Sequence, residues 1–137
     1  MNLSENSLIL IIDDSQFARD ALRESLTASN FRRFVEAAHG QDALEVLRRQ
    51  WDQGQPVELV TCDVNMPVMS GIEFLRKLRT LNEFKTLPVM MVTVESEMPL
   101  IREALMLGAV DYIVKPFSTP VIVQKVERLC RELSKTA

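Results

Sequence analysis

Four apolar runs in this chain each deliver a polar group at or just past their C-terminal end. Leu8-Ile9-Leu10-Ile11-Ile12 runs into Asp13-Asp14, and Leu59-Val60-Thr61-Cys62 runs into Asp63. Val89-Met90-Met91-Val92 runs into Thr93, and Tyr112-Ile113-Val114 runs into Lys115-Pro116. Short runs rich in Val and Ile read as buried strands. If these strands are parallel, their ends lie on one edge of one sheet, the edge where ligands bind in open α/β sheets. Three acids, a hydroxyl and an ammonium then meet in one place. That set suits a metal ion and a phosphoryl group.

The order strand then helix recurs five times. Strands are expected near 7–12, 33–37, 58–62, 88–93 and 110–114, and helices near 15–28, 40–52, 71–80, 97–107 and 119–134. Ser15 and Ser70 suit N-caps, and Pro99 and Pro120 suit first-turn positions. Gly108 suits the position just past the fourth helix. Such alternation predicts an α/β fold, a doubly wound parallel sheet covered by helices on both faces. The chain has 137 residues, 47% of them hydrophobic, so one domain over 1–137 with no output domain is expected. Gln50-Trp51-Asp52-Gln53-Gly54-Gln55-Pro56 reads as a long loop after the second helix.

Composition excludes several classes. The formal net charge is -3 and no long basic run exists, which argues against a nucleic-acid partner. No apolar stretch is long enough to span a bilayer. The start, Met1-Asn2-Leu3-Ser4-Glu5-Asn6, lacks the basic region of a signal peptide. Cys62 and Cys130 stand too far apart for a zinc or redox pair or a disulfide framework, so a reducing cytoplasm is expected, and the single His39 reads as part of a solvated turn.

Asp13 and Asp14 alone would fit either a solvated acidic turn or a cation seat. Asp63 at another strand end favours the seat. Unit charges about 4 Å apart repel by ~1 kcal/mol in bulk water and by more in a protein site. A Mg²⁺ ion, with Mn²⁺ as a substitute, removes that repulsion and is commonly held by carboxylates, waters and phosphate oxygens. Carboxylates also accept phosphoryl groups, which makes Asp63 the candidate nucleophile. Thr93 would donate its hydroxyl to a phosphoryl oxygen and Lys115 would neutralise its charge. Taken singly, Thr93 is an ordinary β-branched strand residue and Lys115 an ordinary surface lysine. Phosphoryl transfer needs mostly positioning and electrostatics, so this small set is sufficient.

Four stretches carry a family resemblance: Ile11-Ile12-Asp13-Asp14-Ser15, Asp63-Val64-Asn65-Met66-Pro67-Val68-Met69-Ser70-Gly71, Val92-Thr93-Val94-Glu95 and Asp111-Tyr112-Ile113-Val114-Lys115-Pro116-Phe117. Together they resemble the receiver domain of bacterial two-component response regulators, of the single-domain chemotaxis type, from end to end. The resemblance implies a flavodoxin-like (βα)5 fold with strand order 2-1-3-4-5. It implies that Asp63 takes a phosphoryl group from a sensor histidine kinase. Asp14 and Asp63 would ligate Mg²⁺ by side chain, Asn65 by its backbone carbonyl, and Asp13 through a metal-bound water. The Lys115–Pro116 bond would be cis, and Thr93 with Tyr112 would form the switch. Such a domain phosphorylates and dephosphorylates itself and is not an enzyme on a separate substrate. Two departures stand out: Val94 sits where the family more often has a smaller residue, and the loop before the third strand is longer than in the shortest relatives.

Rival readings fare less well. An aspartyl phosphatase would want an Asp-x-Asp pattern at the first strand, where this chain has adjacent acids. A nucleotide binder would want a Gly-rich loop there, and none follows. Without an output domain the signal would leave by binding an unnamed downstream protein, or by passing the phosphoryl group to a further histidine in a phosphorelay. Met98, Ile101 and Leu105, in one line on the fourth helix, are expected to contact that partner. Tyr112 would join them, with Lys125 at the rim. A monomer is expected.

Overall fold

The computed structural model describes residues 2–135, so the outermost residues of the expected 1–137 domain lie outside the described part. Five strands form one parallel sheet in the order β2-β1-β3-β4-β5. They are β1 (Leu8–Ile12), β2 (Arg33–Ala37), β3 (Val57–Asp63), β4 (Val89–Val94) and β5 (Asp111–Lys115). The helices between and after them are α1 (Gln16–Ala28), α2 (Gly40–Asp52), α3 (Gly71–Leu78), α4 (Ile101–Met106) and α5 (Thr119–Lys135). This is the flavodoxin-like doubly wound arrangement, whose order places a switch point between β1 and β3.

Every residue of β1 is buried because helices cover both sides of the sheet. Successive side chains alternate between faces. Leu8, Leu10 and Ile12 join a core with Ala43 and Leu47 of α2, Phe74 and Leu75 of α3, and Ile101 and Ala104 of α4. Ile9 and Ile11 join the opposite core with Leu22 and Leu26 of α1, and Ile122, Val126 and Leu129 of α5.

Local signals place most helix ends where the sequence predicts. The Ser15 side chain accepts from the Ala18 N–H, and Ser70 forms a reciprocal capping box with Glu73. Gly108 has φ +86°, a left-handed conformation that glycine takes without steric cost. His39 is more than part of a solvated turn. It caps α2, its Nδ1 accepting from the Asp42 N–H at 3.2 Å.

The fourth helix departs from the expected 97–107. Residues Glu95–Leu100 form a 3-10 turn, and α4 proper covers only Ile101–Met106. Pro99 lies inside the 3-10 turn rather than in the first turn of an α-helix. It offers no N–H and disfavours the α conformation in the residue before it. The line expected from Met98, Ile101 and Leu105 breaks, because Met98 lies in that turn and, within α4, the core takes up Ile101. Ile101 is only 3% exposed and packs inward with Ala104, Met98 packs partly against the same core, and Leu105 alone faces outward. Ile101 is thus a core residue and not a partner contact.

Candidate functional site

Pairing of Asp63 with Val92 and of Val94 with Lys115 carries β3 and β5 one residue further than expected. Asp63 and Lys115 are consequently the last residues of their strands, held by backbone ladders rather than by loops. Asp13 follows β1, and its N–H donates to the Ala37 carbonyl of β2 at 3.1 Å. One carboxylate oxygen from each of Asp13, Asp14 and Asp63 can be chosen so that all three lie within 4.8 Å of one another. Asp13 and Asp63 are buried and Asp14 is exposed, so the cluster opens to solvent on one side.

Asp13 Oδ1 accepts from the Ser15 N–H at 2.9 Å, and its Oδ2 accepts from Lys115 Nζ at 2.7 Å. The same ammonium stands 3.6 Å from Asp63. Burial alone would lower the pKa of Lys115, but the hydrogen bond to Asp13 and the charges of Asp63 and Asp13 outweigh it and raise the pKa. The Asp63 carboxyl is pushed up to about 6 by burial and then by the Asp13 and Asp14 charges, against the opposing pull of Lys115 and the Asn65 N–H. A cation among these three acids would remove the second cause. The donor set is all oxygen and anionic, which fits a hard divalent ion.

Thr93 is buried at the end of β4, yet its Oγ1 donates to the Val94 carbonyl at 3.0 Å and not to Asp63. The Val94 side chain is exposed. Asn65 lies two residues past Asp63, with its own side chain in solvent. The Lys115–Pro116 bond is cis. Tyr112 is half-buried, with Lys125 Nζ 4.6 Å from its ring centre. The structure therefore gathers Asp13, Asp14, Asp63 and Lys115 tightly and sets Thr93 and Asn65 beside them. Tyr112 and Lys125 contact each other apart from that cluster, and Leu105 is exposed on α4.

A family model for the response regulator receiver domain matches residues 9–127. The chain belongs to this family. The receiver is 40% identical over 121 residues to the chemotaxis protein CheY of Pseudomonas aeruginosa, covering 88% of this chain and 94% of that one. It is 35% identical over 131 residues to chemotaxis protein CheY-3 of Vibrio cholerae, covering 96% and 97%. Among solved structures it resembles the REC domain of AraT, a response regulator from Geobacillus stearothermophilus, with TM-score 0.81 and 26% identity over 95% of this chain and 97% of that one.

Three residues that shape the receiver's site escape a reading by motif chemistry. A Cβ on Gly71 would come within 2.2 Å of the Asp63 carbonyl oxygen, so only glycine lets α3 start against the acceptor strand. Its place at the end of the quoted Asp63–Gly71 stretch was the available signal. Asp111 accepts from Lys125 at 3.0 Å and Arg128 at 2.6 Å, a pairing between β5 and α5 that only the fold creates. Arg19 donates to the Asp13 carbonyl from α1.

Proposed function

We propose that this receiver accepts a phosphoryl group on Asp63 from a phosphohistidine of a sensor histidine kinase, in a Mg²⁺-dependent reaction. It then signals by binding another protein in its phosphorylated state. The observation that carries this reading is the meeting of three carboxylates within 4.8 Å with Lys115 lying against two of them. Asp13, Asp14 and Asp63, with the Asn65 carbonyl, would hold Mg²⁺ or Mn²⁺. A bound divalent ion supplies positive charge opposite the carboxylates and the phosphoryl oxygens.

The protein's own groups do the rest. An ionised Asp63 oxygen attacks phosphorus, the new P–O bond forms as the P–N bond breaks, and the imidazole leaves with the electron pair. Lys115 favours the ionised form of Asp63 and then faces the incoming charge. The Thr93 hydroxyl, turned away from the Val94 carbonyl, donates to a phosphoryl oxygen. Space left by that turn lets Tyr112 move inward and repack the face formed by α4, β5 and α5. Phosphorylation can shift this equilibrium only through its differential interaction with the two states. The chain acts on its own residue, as a monomeric cytoplasmic signalling domain rather than an enzyme with a separate substrate. Among the described residues, no helix is long and apolar enough to cross a membrane.

A chemotaxis-type output is supported by the relatives that carry that name and by the exposed apolar residues Val110 and Val114 either side of Tyr112, with Leu105 and Met106 exposed on α4. A phosphorelay role has its own support. Phe17 is 83% exposed, beside a groove lined by Ala18, Ala21, Pro116 and Phe117 next to Lys115. Incubation with Mg²⁺ and acetyl phosphate, followed by intact mass, tests the acceptor. One added phosphoryl group, absent in Asp63→Asn, is expected, and stoichiometric labelling of that variant would move the acceptor elsewhere. Capture of partners on phosphorylated against unphosphorylated protein then separates the two outputs.

A further inference from the structure

We propose that Arg19 is a positioning residue for the metal seat, holding the peptide between Asp13 and Asp14 through the Asp13 carbonyl. The inference rests on the reading of the acidic cluster as a cation seat.

Asp13 and Asp14 are held in different ways. Both oxygens of the Asp13 carboxylate are engaged, one by the Ser15 N–H and one by Lys115. The Asp14 carboxylate has no hydrogen-bond or ion-pair partner among the described residues. Its approach to Asp63 is set by the backbone that carries it. That backbone is pinned twice, and both pins lead to the edge strand β2. The Asp13 N–H donates to the Ala37 carbonyl at 3.1 Å. The Asp13 carbonyl accepts from Arg19 Nη1, while Arg19 Nε donates to Glu36 of β2 at 2.8 Å.

The guanidinium is held as a fixed fork. Its Nη2 donates to Gln16 Oε1 at 2.6 Å, and the side chain is only 13% exposed. Glu36 also accepts from Arg23 at 3.3 Å and from Gln16 at 3.4 Å, so the anchor is itself braced. Three acceptors in three directions need the planar fork of arginine, and one ammonium cannot serve them together. Rotation of the Asp13–Asp14 peptide would swing Asp14 out of the cluster. Residues that orient metal ligands from behind commonly change affinity by tenfold or more.

Calorimetric titration of the full chain with Mg²⁺, and separately with Mn²⁺, tests this. Arg19→Ala is expected to weaken binding about tenfold, and Arg19→Lys by nearly as much. Arg76→Gln, which breaks only a surface ion pair with Glu103 away from the acids, is expected to stay within about twofold of the unaltered protein. The ¹⁵N resonance of the Asp14 amide reports on hydrogen bonding to the Asp13 carbonyl. It should shift in both Arg19 variants without metal and stay in place in Arg76→Gln. Unchanged affinity in a folded Arg19→Ala overturns the inference. So does full recovery in Arg19→Lys, which would mean that charge and not the peptide hold is responsible. If Arg19→Ala does not fold, Arg19→Lys and the Asp14 resonance decide. Failure of the unaltered protein to bind Mg²⁺ would instead overturn the cation reading of the site, and this inference with it.

Discussion

The Lys125 ammonium lies 4.6 Å from the centre of the Tyr112 ring while donating to Asp111 Oδ1 at 3.0 Å. One cation thus braces the outward ring of the proposed switch and is itself held by the residue before that ring. Cation–π contacts contribute roughly 0.5–1 kcal/mol at exposed sites and more where water is excluded. Lys125→Ala should therefore release Tyr112 toward its inward position even without phosphorylation. Ring-current shifts of Tyr112 measured by NMR should move part-way toward those of the phosphorylated protein. Identical Tyr112 resonances in the variant and the unaltered protein would remove Lys125 from the switch.

The burial of Ile101 changes what its truncation will do. Ile101→Ala should act as a core deletion, costing about 2–4 kcal/mol of stability, and should not selectively impair partner binding. Leu105→Ala, on the outward side of α4, should cost little stability and weaken binding of the phosphorylated protein to its target. Urea unfolding and a binding assay on the same two variants provide the check. A large binding loss in Ile101→Ala at full stability would contradict the packing described here.

Asp63 makes the metal-free protein sensitive to acid in an unusual sense. Its folded pKa is about 6, raised above the ordinary value of 3.8. Between those values the folded state holds more protons than the unfolded chain, so stability rises as pH falls from neutral toward 4. At neutral pH the ionised carboxylate is a burden of about 1–2 kcal/mol, a discounted figure because water still reaches the site. Asp63→Asn should accordingly be more stable than the unaltered protein at pH 7 without metal, and the gap should close near pH 4. Below that, Asp111 acts in the opposite sense. Burial would raise its pKa, but hydrogen bonds from Arg128, the Tyr112 N–H and Lys125 outweigh this and lower it. Its stabilisation is present above the ordinary carboxylate range and is lost as pH falls through the lowered value. Denaturant midpoints across pH for both proteins would expose an error in either sign.

Val68 carries strain that another residue would relieve. It stands at φ +69° and is 80% exposed, in the loop between Asp63 and α3. A β-branched residue is disfavoured in the left-handed region, which asparagine tolerates far better. Val68→Asn should raise stability by about 0.5–1 kcal/mol without slowing phosphorylation by a small donor. A lower unfolding midpoint in that variant would mean that the exposed valine makes a compensating contact.

Much of this receiver is determined by the sequence alone, because the relevant forces are local. Apolar runs set four of the five strands, Ser15 and Ser70 cap their helices through their own neighbours, and Gly108 ends α4 through its own backbone freedom. The strand-end positions of Asp13, Asp14, Asp63, Thr93 and Lys115 follow from the same runs. What tertiary structure decided are the relationships between elements far apart in the chain. The 3-10 turn at Glu95–Leu100 shortened α4, and packing against the core buried Ile101 beside Ala104. Lys115 reached Asp13 more closely than Asp63, and Arg19 crossed from α1 to the Asp13 carbonyl with Glu36 of β2 behind it. Burial then set the charge balance of Asp63. Desolvation and long-range hydrogen bonds depend on which surfaces face one another, and no window of neighbouring residues contains that information.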